Sequence, residues 1–146
     1  MSGPFLSRLM LSALAASQGL APLAIDLNRT HATHPLWPGH ARFHVVWQSF
    51  TALFLAVPEI ALLWWSGPGT RSRVILAAIL IAASLAGFIV AAIFRRLYGG
   101  AFHDPDGIPP LRARAAGRGF ELDGNALAVA LGVVVLAVAL LLFFSS

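Results

Sequence analysis

Residues 74–94 run for 21 positions without a charge, and Ser84 is the only hydroxyl or amide side chain among them. As a helix rising ~1.5 Å per residue, that stretch matches the ~30 Å hydrocarbon layer of a bilayer. A helix apolar on every side belongs in a membrane or deep in a large core, and 146 residues cannot build such a core. Three further segments read the same way. Residues 126–144 are equally clean, and 45–65 are interrupted by Gln48, Ser49, Thr51 and Glu59. The stretch 5–27 contains Arg8, Gln18, Pro22 and Asp26.

The remaining composition closes off other classes. Ten basic and six acidic side chains are too few to solvate a domain that is 58% apolar. With no cysteine, a disulfide-stapled module, a thiolate metal site and a cysteine nucleophile are all excluded. The isoelectric point of about 11.4 comes entirely from arginine. In a chain this apolar, those arginines report membrane orientation rather than nucleic-acid binding. The expected fold is an all-α integral membrane four-helix bundle, one domain over 1–146, with spans near 5–27, 43–66, 74–97 and 124–144. The first stretch also admits a signal-peptide reading, with Arg8 as the basic start and Ala13-Leu14-Ala15 as a cleavage site. Its hydrophobicity continues to Leu27, which favours a retained helix.

Four spans put both termini on one side. Arg8, Arg71 and Arg73 lie there, against Arg29, Arg42, Arg95, Arg96, Arg112, Arg114 and Arg118 on the other. The positive-inside rule then places the two longer, histidine-rich connections in the cytoplasm and the termini outside, in a bacterial inner membrane. Within the third span, Ala83, Gly87 and Ala91 form a small-residue stripe suited to close helix packing. Arg112, Arg114 and Arg118 are placed to meet anionic lipid head groups.

Polar residues inside or beside such spans mark function. All five histidines fall on the inferred cytoplasmic side: His31, His34, His40 and His44, with His103 beside Asp104 in the second connection. Taking His40 as origin, His44 lies at about 40°, Gln48 at about 80°, Thr51 at about 20° and Glu59 at about 100° around a helix. This stripe is expected to face the bundle interior, since lipid cannot satisfy it. Glu59 falls ~6 Å from the midplane, where an ionised acid costs ~2.5 kcal/mol or more. The adjacent Pro58 leaves the Phe54 carbonyl without its helical donor. Gln18, Pro22 and Asp26 share a face of the first span, so Asp26 is placed to orient an imidazole.

These residues predict a cavity between spans one and two that binds or transforms a lipophilic small molecule by acid/base chemistry, such as double-bond isomerisation, without a cofactor. His31, His40, His44, Asp26 and Glu59 are the candidate catalytic groups. Gln18, Asn28, His34, Trp37, Arg42, Trp47, Gln48, Thr51, His103 and Asp104 are the candidate ligand contacts. Expected partners are membrane lipid and a lipophilic substrate, with no nucleic acid. Two other classes stay open: a non-catalytic accessory subunit of a larger membrane complex, and a proton pathway or His-ligated metal protein; a homo-oligomer or a larger complex is the expected assembly. A metal would fall to His40, His44 and His31, with the first two at the i,i+4 spacing of metal-binding helices. No H-E-x-x-H is present.

The run Asp26-Leu27-Asn28-Arg29-Thr30-His31, followed by Pro35-Leu36-Trp37-Pro38-Gly39-His40-Ala41-Arg42-Phe43-His44, resembles a group of small four-helix membrane proteins of bacteria and fungi. Their pattern is N-x-T-H, then N-P-x-W-P-P-H-A-[RK]-F-H. Here His34 stands for the asparagine and Gly39 for the second proline. The likeness covers about 20 residues and implies the four-helix fold, with no activity attached. In layout alone the chain also resembles the emopamil-binding and sigma-2 receptor (EXPERA) group, whose bundles hold acid- and histidine-lined cavities.

Overall fold

In the computed structural model, residues 2–103, 107–115 and 118–145 are described. Four helices dominate: α1 (Gly3–Ile25), α2 (Gly39–Trp64), α3 (Thr70–Phe94) and α4 (Gly124–Phe144). Each is long and apolar enough to cross a membrane. A single 3-10 turn, Arg95–Tyr98, extends α3. Strands β1 (Leu111–Ala115) and β2 (Arg118–Leu122) follow, paired antiparallel with Arg112 opposite Glu121 and Ala113 opposite Phe120. This hairpin is an addition to the expected all-α bundle. Its alternating Leu-Arg-Ala-Arg-Ala has the two-residue period of a strand.

Local chemistry sets the helix ends. Pro38 precedes α2 in an extended conformation and leaves helix geometry to Gly39. Gly69 enters α3 at φ 78°, a left-handed backbone that glycine adopts without a Cβ clash. Arg73 closes the α2–α3 turn, donating to the carbonyls of Trp65 (3.0 Å), Gly67 (2.9 Å) and Pro68. Asp123 caps α4 by accepting from the Ala126 N–H at 2.9 Å.

Helices α1 and α2 run antiparallel, for Ser12 meets Trp64 while Gly19 meets Ala56. A Cβ at Gly19 would stand 2.7 Å from the Ala56 Cβ, so the absence of a side chain there sets the spacing of the pair. Helix α4 lies against both α1 and α3 at Gly132, where a Cβ would meet Leu85 at 3.0 Å and Leu14 at 3.4 Å. The core comprises Leu11, Leu14, Ala15, Leu63, Val74, Ala77, Ile81 and Ala139. Outward faces are as apolar as the core: Ile79, Ile93, Leu131 and Leu141 are all exposed. In water that surface would aggregate, and in lipid it is solvated.

Two expected packing faces differ from those found. Ala83, Gly87 and Ala91 are exposed, and α3 instead buries Val74, Ala77, Ala78, Ile81 and Leu85. On α2 the buried residues are Ser49, Ala56, Glu59 and Leu63. His40, His44, Gln48 and Thr51 point outward, contrary to the interior stripe expected of them. Close fit against Gly19 decides the orientation: small residues let the backbones approach, whereas the polar stripe carries bulk. Ser49 could be buried because its hydroxyl donates back to the Val45 carbonyl at 2.8 Å.

Candidate functional site

Where α1 ends, the chain turns through Asp26–His31, and this turn holds the best-defined polar network. The Asn28 side chain is fixed from both ends. Its Nδ2 donates to the Ile25 carbonyl at 2.8 Å, and its Oδ1 accepts the Thr30 N–H at 2.8 Å, an Asx turn. The Thr30 hydroxyl lies 2.7 Å from the same Oδ1 and 2.8 Å from His31 Nδ1. An amide oxygen only accepts, so the one hydroxyl proton of Thr30 goes to Asn28. Thr30 Oγ1 must then accept from His31, which puts the proton of a neutral imidazole on Nδ1 and leaves Nε2 bare. Asp26 Oδ1 stands 3.8 Å from Nδ1, and the His31 ring meets Trp37 edge to face at 5.4 Å. Asp26 lies one residue past α1, and its carboxyl is held above the ordinary carboxylate range by burial, with His31 opposing.

His31 opens onto a cavity of about 710 Å³ bounded by the end of α1, the end of α3, the start of α4 and the second connection. Thr30, Trp37, Arg95, Tyr98 and His103 line it together with Phe88, Phe102 and Asn125. The Arg95 guanidinium is held over the Phe102 ring at 4.7 Å and donates to the Ala92 carbonyl at 2.7 Å. A second, apolar cavity of about 530 Å³ continues between α3 and α4, sharing Phe88, Ala92, Arg95 and Phe102 with the first. Its other walls include Ile89, Ile93, Val129 and Val133. A chamber of mixed character, with Thr30, His31, Arg95, His103 and Asn125 set among apolar walls, thus adjoins an apolar groove, an arrangement suited to an amphiphilic guest.

These two cavities lie against α3 and α4, whereas the expected cavity was between spans one and two, where Gly19 and Ala56 are in close contact. Of the candidate residues, His31, Trp37 and His103 meet at the chamber. Asn28 acts behind them through Thr30. His34 is buried away from the chamber, its Nδ1 accepting the Leu36 N–H at 3.2 Å and its ring against Trp37. Arg42 is a loop clamp, donating to the carbonyls of Trp37 (2.9 Å) and Pro35 (3.1 Å). Gln18 donates to the Ile81 carbonyl at 3.3 Å and so ties α1 to α3.

Glu59 is buried in the bundle as expected, and it forms no hydrogen bond or ion pair among the described residues. It lies ~22 Å along α2 from His44, apart from every histidine. His40 and His44 touch each other, Nε2 to Nε2 at 3.0 Å, but face outward with Trp47, Gln48 and Thr51. They do not converge with His31, and no group of three or more His, Cys, Asp or Glu side chains suited to a metal occurs among the described residues. Asp104 lies outside the described residues.

Sequence reasoning missed Arg95, Tyr98 and Phe102. Arg95 reads as an interfacial anchor, and only the turn after α3 reveals that it walls a chamber. No protein-family model, curated protein or solved structure matches the chain.

Proposed function

We propose that this chain is an integral membrane protein that takes up an amphiphilic small molecule, its polar end beside His31 and its apolar part along the α3–α4 groove. The observation that carries this reading is that a chamber carrying Thr30, His31, Arg95, His103 and Asn125 adjoins an apolar groove; the neutral form of His31, held at Nδ1 by the Asn28–Thr30 network, would leave Nε2 without a proton. A bare imidazole nitrogen accepts a proton and returns it, the transfer needed for a double-bond shift in a bound lipid whose migrating hydrogen is acidified by an adjacent carbonyl. His103 is the second ionisable imidazole on the chamber wall. The arginine distribution supports an inner-membrane orientation with the chamber on the cytoplasmic side and both termini outside.

The test is mass spectrometry of lipid extracted from purified protein. Wild type should retain a defined amphiphile, and His31→Ala should lose most of it at equal expression. His44→Ala and Glu59→Gln should retain it, because both residues lie off the cavity walls. Equal lipid content in His31→Ala and wild type would refute the assignment. A second reading, membership of an oligomeric complex, is favoured by the outward polar face of α2.

A further inference from the structure

Helix α2 presents polar groups where lipid would otherwise meet them. His40, His44, Gln48 and Thr51 are exposed on one face, and Thr51 is residue 13 of the 26 in the helix. With the midplane near residue 55, Gln48 lies ~10 Å from it and Thr51 ~6 Å, both within the ~30 Å hydrocarbon layer. Among the described residues neither the Gln48 amide nor the Thr51 hydroxyl makes a hydrogen bond, and lipid tails supply none. This face therefore calls for protein.

We propose that the occupant is a second copy of this chain, packed α2 against α2 about a twofold axis along the membrane normal. Such an axis keeps the two helices parallel, so each residue meets its own depth in the partner copy. Self-pairing requires groups that complement themselves. An amide offers both donor and acceptor, so Gln48 can bond Gln48 of the second copy. The exposed face of His40, His44, Gln48 and Thr51 holds no carboxylate, Glu59 being buried, and the guanidinium of nearby Arg42 is turned back onto the Trp37 and Pro35 carbonyls, so no fixed like charges are brought together. His40 and His44 already pair Nε2 to Nε2 at 3.0 Å, and the second copy brings an equal pair to the same level. The proposal rests on α2 spanning the membrane and is independent of the ligand cavity.

The chain has no cysteine, so Thr51→Cys introduces a single thiol. The full-length variant, reconstituted in phosphatidylcholine–phosphatidylglycerol vesicles and oxidised with iodine, should give a disulfide species of twice 15.5 kDa. Val134→Cys, also exposed but on α4, should not. Adding Gln48→Leu should lower the Thr51→Cys yield roughly fivefold, the equivalent of ~1 kcal/mol for an interhelical hydrogen bond. Three results would each overturn the proposal. They are a Thr51→Cys yield no higher than that of Val134→Cys, a yield indifferent to Gln48→Leu, and a Thr51 thiol captured in native membranes only by a different protein.

Discussion

At His31 one hydroxyl decides which ring nitrogen holds the proton. Thr30→Val keeps the shape and removes both the donor to Asn28 and the acceptor for Nδ1–H. Lipid retention should fall roughly fivefold, in keeping with a hydrogen bond worth about 1 kcal/mol. The ¹⁵N shifts of His31 should move toward a mixture of tautomers, and Thr30→Ser should restore both. Unchanged ¹⁵N shifts in the valine variant would remove the relay from the account. Asp26 supplies a pH signature. Its folded pKa is raised from the ordinary 3.8 by burial, so its contribution to stability is present below about pH 4 and lost as pH rises through the folded value. Asn does not ionise, so the melting temperature of Asp26→Asn should gain on wild type between pH 4 and pH 7. A constant difference across that range would show no linkage. Asn28, Thr30 and His31 were legible in the sequence as a motif, but their mutual bonding was not. It depends on the turn geometry after α1, which composition does not encode.

Among the elements, the α1–α2 pair was readable as two spans and unreadable as an interface. Polarity marked one face of α2, yet packing chose another, about a third of a turn away, built on Ser49, Ala56 and Leu63. Gly19 is the reason, since a Cβ there would meet Ala56 Cβ at 2.7 Å and the Leu53 backbone at 3.3 Å. Gly19→Leu should destabilise the bundle by about 2–3 kcal/mol through overpacking. Gly87→Leu should be tolerated, because nothing lies within 4 Å of its Cβ position. Thermal unfolding in one detergent compares them, and equal melting temperatures would contradict the interface. The hairpin escaped notice for a different reason. Its alternation is a strand signal, but arginines beside prolines and glycines read equally well as a lipid-facing loop. The Arg112–Glu121 pair across it is 3.4 Å long and well exposed, so it fixes register more than it stabilises.

For the whole molecule, charge scarcity sufficed to name four spans, and their number follows from helix length and bilayer thickness alone. Their lateral arrangement did not follow, because in lipid every apolar face is equally comfortable and small local fits decide contacts. Orientation rests on the arginines, and it can be read directly in a chain without native thiols. Ser2→Cys and Ser145→Cys should react with a membrane-impermeant maleimide on intact bacterial cells, and Gly119→Cys in β2 only after permeabilisation. The reverse pattern would invert the protein and move the chamber to the outer face.

Trp37 stands between two imidazoles, with its ring centroid 5.4 Å from His31 and 5.6 Å from His34, and its side chain forms part of the chamber wall. Indole emission depends on local polarity and is quenched by a neighbouring imidazolium. Trp47, Trp64 and Trp65 all lie off this wall, so with those three replaced by phenylalanine the protein carries a built-in optical gauge. A ligand entering the chamber would then be visible as a change in colour and intensity, with no label attached.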